Sequence, residues 1–112
     1  MNIESGRAAA CVLICFVGMK AAWAQDAPTP EQVEAGSRLY AQNCSVCHGP
    51  RMVESGGGFF DLRTFPPGQR SRFFNSVSNG KNSMPPWKSV LSQEQIGALW
   101  AYVVLGEKYE GQ

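Results

Sequence analysis

The chain of 112 residues has one histidine, four cysteines, no internal repeat and a formal net charge of only +1. A single imidazole rules out a histidine-rich metal site and any site that needs a pair of histidines. Without an excess of lysine and arginine on one face, nucleic acid is a poor partner. No stretch alternates apolar and polar residues as a half-buried strand does, so a sheet is not expected. The longest apolar run, Ala8 to Met19, is well short of the roughly 20 residues that span a bilayer as a helix.

What is present begins with a processing signal. The apolar run sits between Arg7 and Lys20 and leads into Ala22-Trp23-Ala24, a small-residue cleavage pattern, so residues 1–24 read as a secretory signal peptide. Glu4 weakens the positive start, but the polar "QDAPTPEQ" directly after the pattern disfavours a retained membrane anchor. Cleavage leaves 88 residues, removes Cys11 and Cys15, and keeps Cys44, Cys47 and His48. Cys15 lacks the surroundings of a lipid-modified cysteine. An exported domain this small buries proportionally little surface, so a disulfide, a metal or a bound group is expected to stabilise it. The mature charges balance at eight of each sign, yet every charged residue from Arg63 to Lys88 is positive. That stretch is either a solvated face or a surface for an acidic partner.

Helical signals organise the rest. Thr29 with Pro30 and Gln32 forms a capping box, and Val33, Gly36, Leu39, Tyr40, Cys44 and Cys47 follow a helical stripe. The cysteine pair therefore lies at the C-terminal end of this helix. From Gly49 to Phe65 periodicity disappears, and "GGGFF" predicts a loop that makes a close approach and then buries Phe59 or Phe60. A short helix is expected from near Pro67, burying Phe73, Phe74 and Val77 and stopping at Gly80. "KNSMPPWKSV" returns to loop because prolines forbid helix. The last helix starts at Ser92 with Gln95 as its capping partner and a Leu91–Ile96 staple. It buries Ile96, Leu99, Trp100, Val103 and Val104 and is expected to end at Gly106. The fold class is all-α, about three helices joined by long loops.

Residues 43 to 49, "NCSVCHG", admit three chemistries. Structural zinc takes four ligands, commonly from two such pairs, and no second cysteine or histidine group exists. A redox dithiol normally opens a helix after a strand, where the helix N-terminus lowers the first thiol's pKa; here the pair closes a helix. An inert disulfide is formally open as well. Cys-x-x-Cys-His fits covalent haem best, the thiols of Cys44 and Cys47 taking the two vinyl groups and His48 the iron. The porphyrin would then be the apolar core that 88 residues struggle to build. Methionine is the usual second axial ligand where no second histidine exists. Met52 follows His48 too closely to reach the opposite face, whereas Met84 sits in "SMPPWK", a loop stiffened by Pro85 and Pro86.

These residues together resemble the small, monohaem class I cytochromes c of bacteria, over about Val33 to Leu105. The resemblance rests on "GSRLYAQNCSVCHG", "NGKNSMPPW" and "LSQEQIGALWAYVV". It implies a cytochrome c fold wrapped around one covalently attached haem c, with Gly36 and Tyr40 packing against the last helix and Leu99 and Tyr102 facing the first. It divides the chain into a signal peptide (1–24), a flexible lead-in (25–30), a cytochrome c domain (31–106) and a C-terminal tail (107–112). His48 and Met84 are the expected iron ligands. Phe59, Phe60, Phe73, Phe74, Val77, Trp87 and Leu91 are candidates for the haem wall. One departure stands out: the family often has a proline about a dozen residues after the motif, whose carbonyl receives the histidine's ring N–H. Phe60 stands where that proline is expected, so a carbonyl of Gly58 to Phe60 is expected to substitute. The implied function is a periplasmic, monomeric electron carrier rather than an enzyme. It would shuttle electrons from a dehydrogenase, a quinoprotein alcohol dehydrogenase for instance, to an oxidase or another cytochrome. Arg63, Arg70, Arg72, Lys81 and Lys88 would ring its docking face. The competing readings are a haem enzyme or ligand sensor with a displaceable distal ligand, and a dithiol protein without haem.

Overall fold

A computed structural model describes residues 27–53 and 56–109. The expected signal peptide, with Cys11 and Cys15, lies outside the described residues. Among the described residues four α-helices follow one another: α1 (Pro30–Asn43), α2 (Ser45–His48), α3 (Arg70–Asn79) and α4 (Gln93–Tyr109). Among the described residues no strand forms, and no helix is long and apolar enough to cross a membrane.

The start of α1 follows from a local exchange of hydrogen bonds. The Thr29 hydroxyl accepts from the Gln32 amide at 3.2 Å, and the Gln32 side chain accepts from the Thr29 amide at 2.8 Å. Two backbone donors that a helix cannot satisfy internally are thereby paired. Ser92 and Gln95 make the same pair of bonds at the start of α4, at 3.1 and 2.8 Å. Leu91 and Ile96, on either side of that cap, are both buried.

Two expected boundaries move. Helix α3 begins at Arg70 rather than near Pro67, because Pro67 and Gly68 form a turn closed by Gln69 N–H to the Pro66 carbonyl at 3.0 Å. Proline suits the second position of such a turn as well as it suits the first turn of a helix. Helix α4 runs on past Gly106 to Tyr109. Gly106 serves packing, since a Cβ there would lie 2.7 Å from the Tyr102 ring of the preceding turn.

Helices α1 and α4 make the principal pairing. Gly36 faces the backbone of α4 so closely that a Cβ would lie 1.9 Å from the Ala98 carbonyl oxygen. Four residues on, the Tyr40 and Tyr102 rings meet at 5.2 Å between centroids. Val33, Tyr40, Met52, Ile96, Leu99 and Tyr102 are buried around this crossing. Each fully buried large side chain is worth roughly 1.5–3 kcal/mol relative to exposure, so the crossing dominates the apolar stabilisation. Helix α3 joins on the other flank through an aromatic cluster. Phe73 packs on Trp100 at 5.3 Å, and Phe65 meets both at 5.7 and 5.8 Å, edge to face.

Gly36→Ala is expected to destabilise the protein by about 3 kcal/mol, since the two backbones must separate to admit the methyl, and to lower Tm by more than about 10 °C. Gly97→Ala, whose Cβ would meet only the Phe74 ring at 3.7 Å, should be neutral or stabilising by up to about 1 kcal/mol. Thermal melts followed by circular dichroism decide it; equal Tm values would remove the close-crossing argument.

Candidate functional site

The stretch Cys44 to Gly49 forms one tight helical turn. The Cys47 and His48 amides both donate to the Cys44 carbonyl, at 3.2 and 2.9 Å, and the Gly49 amide donates to Ser45 at 2.9 Å. Residues three and four apart share a helix face, so Cys44, Cys47 and His48 lie on the same side of this turn. Cys44 caps α1 and is partly buried, packed against the core; Cys47 is exposed, and the two thiols are not joined to each other. Burial, with a smaller contribution from Cys47, pushes the Cys44 thiol up to about 11. A reactive dithiol needs the opposite shift, toward thiolate. Among the described residues no three Cys, His, Asp or Glu side chains come together to hold a metal ion. The turn thus offers two separate thiols and one adjacent imidazole, a donor set suited to two thioether bonds and one iron bond and unsuited to a zinc cage.

Tyr40 ties this turn to the helix crossing. Its hydroxyl donates to the Gly49 carbonyl at 2.6 Å, next to His48, and the Met52 amide donates to the same carbonyl at 3.3 Å. Gly49, Arg51 and Met52 all have positive φ, at 80°, 54° and 63°, so the chain curls sharply after the histidine. That curl turns Met52 inward, where only 2% of it is exposed. Met52 is a core residue.

Met84 is held by a separate device. Helix α3 ends at Gly80 with φ 78°, and Lys81 and Met84 exchange two backbone hydrogen bonds at 3.1 and 3.0 Å around Asn82 at φ 53°. A Cβ on Gly80 would lie 2.6 Å from the Met84 carbonyl. After Pro85 and Pro86, the amides of Trp87 and Lys88 donate back to Val77 and Ser78 of α3 at 2.9 and 3.2 Å. The methionine loop is therefore fixed at both ends to one helix, with Met84 half-buried.

The candidate wall residues divide. Phe73 and Leu91 are buried in the core, while Phe74, Val77 and Trp87 are partly buried against it. Phe59 and Phe60 remain 41% and 47% exposed, against the expectation that one of them is buried. The core is already filled by Phe65, Phe73 and Trp100, and the glycine loop, with Gly56 and Gly58 at φ 95° and 75°, carries both rings outside it. Phe59 lies against the His48 ring at 5.9 Å, and Phe60 meets the edge of Phe65 at 5.9 Å. Neither Gly58, Phe59 nor Phe60 supplies the expected carbonyl: among the described residues the buried His48 Nδ1 has no hydrogen-bond partner.

Sequence reasoning missed Phe65, which joins Phe60, Phe73 and Trp100, because a residue between irregular Thr64 and Pro66 belongs to no periodic pattern. It also missed the Tyr40 hydroxyl bond, since only the ring of Tyr40 had an expected contact. Much of the basic stretch is already engaged. Arg63 pairs with Asp61 at 3.0 Å, Arg70 covers Phe74 at 4.1 Å, and Arg72 lies over Phe65 and Phe60.

Comparison with known proteins agrees with this geometry. The family model described as "Cytochrome C oxidase, cbb3-type, subunit III" matches residues 31–103. A quinohemoprotein alcohol dehydrogenase, ADH IIB of Pseudomonas putida, is 39% identical over 84 residues. Cytochrome c6 of Nostoc sp. is 33% identical over 62% of this chain and 66% of its own length. Cytochrome c550 of Pseudomonas aeruginosa is 36% identical over 63% of this chain and 53% of its own. The chain spans 12% and 10% of the two Pseudomonas putida dehydrogenases it matches.

Burial, followed by smaller effects of Cys44 and Tyr102, pushes the Tyr40 hydroxyl up to about 12 from its usual 10. A group whose folded pKa is raised contributes stability that is complete below its unfolded pKa and lost as pH rises through the folded value. Denaturant midpoints should therefore fall between about pH 10 and pH 12. Tyr40→Phe should lack that component and be about 1–2 kcal/mol less stable at pH 7, with the Gly49 carbonyl left unpaired. Parallel pH profiles for the two proteins would count against the hydroxyl bond.

Proposed function

This chain belongs to the cytochrome c family, a family of haem electron-transfer proteins with covalently bound haem c, and from that premise we propose that it is a periplasmic, monomeric electron carrier with His48 and Met84 as its iron ligands. The observation that carries the reading is the turn Cys44–Gly49, with two unjoined thiols and an imidazole on one face, together with a methionine loop pinned to α3. Bound haem supplies one-electron exchange between ferrous and ferric iron.

The protein's own residues do the rest. Cys44 and Cys47 would hold the ring edge through thioethers, so that position does not depend on iron ligation alone. His48 would ligate the iron from a turn that Tyr40 fastens at Gly49. Met84 would be the second ligand, its backbone fixed by the Lys81 bonds and by Gly80. Iron held by both side chains would have no site left for oxygen or peroxide, which would suit a carrier and not an enzyme. Phe59, Phe60, Val77 and Trp87 would pack against the haem, with Phe73 in the core. The pinned loop limits rearrangement between oxidation states, because the thioether is delivered by backbone bonds on both sides.

Partners are part of the same proposal. The chain is similar to segments of quinohemoprotein alcohol dehydrogenases, which supports a periplasmic quinoprotein alcohol dehydrogenase as donor and an oxidase or second cytochrome as acceptor. Lys81 and Lys88, which flank the methionine loop, would help steer an acidic partner.

Met84→Ala should lower the reduction potential, remove the weak long-wavelength methionine–iron band and let the ferrous form bind carbon monoxide. A wild-type protein that binds carbon monoxide readily and shows a high-spin ferric spectrum would favour a sensor or haem enzyme instead. For the donor, stopped-flow mixing with a reduced quinoprotein alcohol dehydrogenase should give a rate constant of about 10⁵–10⁷ M⁻¹s⁻¹ that falls with ionic strength. No reduction faster than with an unrelated flavin dehydrogenase would dismiss that partner and leave the ligation untouched.

A further inference from the structure

A histidine that ligates a metal almost always gives its other ring N–H to a carbonyl, a carboxylate or water, and that bond orients the ring and raises its basicity. His48 departs from this rule. Its Nδ1 is buried and has no hydrogen-bond partner among the described residues. What lies against the imidazole is the Phe59 ring, 5.9 Å away between centroids and tilted by 59°.

The position of Phe59 is not left to a wandering loop. Its neighbour Phe60 meets the edge of Phe65 at 5.9 Å, and Phe65 in turn packs on Phe73 and Trp100 of the core. The Arg72 guanidinium lies over both Phe60 and Phe65, at 5.8 and 5.1 Å, and is itself held by Gln69 at 2.8 Å. Packing therefore runs from the α3–α4 core to Phe60, and the backbone joins Phe60 to Phe59, which meets the imidazole.

We propose that Phe59 is a positioning residue for His48: its ring sets the imidazole plane and seals Nδ1–H from solvent, in place of a hydrogen-bond acceptor. The proposal rests on the reading of His48 as an axial ligand through Nε2, which leaves the proton on Nδ1. An acceptor on Nδ1–H would push electron density toward the iron and favour the ferric state. An aromatic cover gives no such push, so the ligand is a weaker donor and the ferrous state is favoured. The arrangement makes the missing proline of the family pattern a means of holding the potential high.

The test uses the full holoprotein, with Phe59→Ala and Phe59→Tyr beside the wild type. Nuclear magnetic resonance follows the His48 Nδ1 proton and its exchange with solvent, and voltammetry gives the potential. Phe59→Ala should admit water as an acceptor, speed that exchange at least about tenfold, and shift the redox equilibrium about tenfold toward ferric, or 59 mV for one electron. Phe59→Tyr, which keeps the ring, should match the wild type in both. Unchanged exchange in Phe59→Ala overturns the proposal. Should that variant fail to assemble, the wild type alone decides: an Nδ1 proton at the far-downfield position of a strong hydrogen bond to an acceptor also overturns it. Optical spectra separate the two levels of the argument. Loss of low-spin histidine–methionine character in the wild type defeats the ligand assignment, whereas intact ligation with unaltered exchange defeats only the role of Phe59.

Discussion

At Gly36 the backbone of α1 meets the Ala98 carbonyl of α4 with no room for even a methyl group. Everything the chain does at its chemical centre hangs on that contact. Once the helices touch there, Tyr40 is carried onto Tyr102, and its hydroxyl falls on the Gly49 carbonyl. The cysteine–histidine turn is then fastened at both ends by the same residue, since the Cys44 amide donates to the Tyr40 carbonyl at 2.8 Å. A wider crossing would move Tyr40 and loosen the turn that presents His48.

The methionine loop depends on α4 in a different way. Trp100 receives Phe73 and Phe65, which seats α3 and the end of the glycine loop. Helix α3 in turn holds the methionine loop through the carbonyls of Val77 and Ser78. His48 and Met84, 36 residues apart in sequence, are thus both referred to one long helix, on which Tyr102 and Trp100 are two residues apart. Rigid delivery from a shared scaffold would serve the proposed site, whose function is to change charge without changing shape.

The same economy governs charge. Arginines of the basic stretch are largely spent on local contacts with Asp61, Phe74 and Phe65. Surface pairs of this kind contribute little to stability. Lys81 and Lys88 lie at the methionine loop, Lys88 donating to the Asn79 side chain at 3.3 Å; in the proposed reading they suit transient contacts better than rigid arginine forks do.

Both capping boxes, Thr29 with Gln32 and Ser92 with Gln95, were legible in the sequence, because a cap is made by a side chain and a backbone group three residues apart. Cys44, Cys47 and His48 were legible for the same reason, their spacing placing them on one turn. Gly106 misled, because a glycine that ends a helix and a glycine that admits a ring look alike until the ring is placed. Pro67 misled likewise, since it serves a turn and a helix start equally well. Phe65, the Tyr40–Gly49 bond and the bare Nδ1 of His48 were beyond any local pattern. The sequence by itself determined the helical class, the starts of α1 and α4 and the chemistry of the attachment turn, all of which depend on neighbours within about four residues. Only the tertiary structure decided which aromatics fill the core, which stand outside it against the imidazole, and how closely α1 and α4 approach. Those outcomes depend on packing between segments distant in the chain, which no short-range spacing encodes.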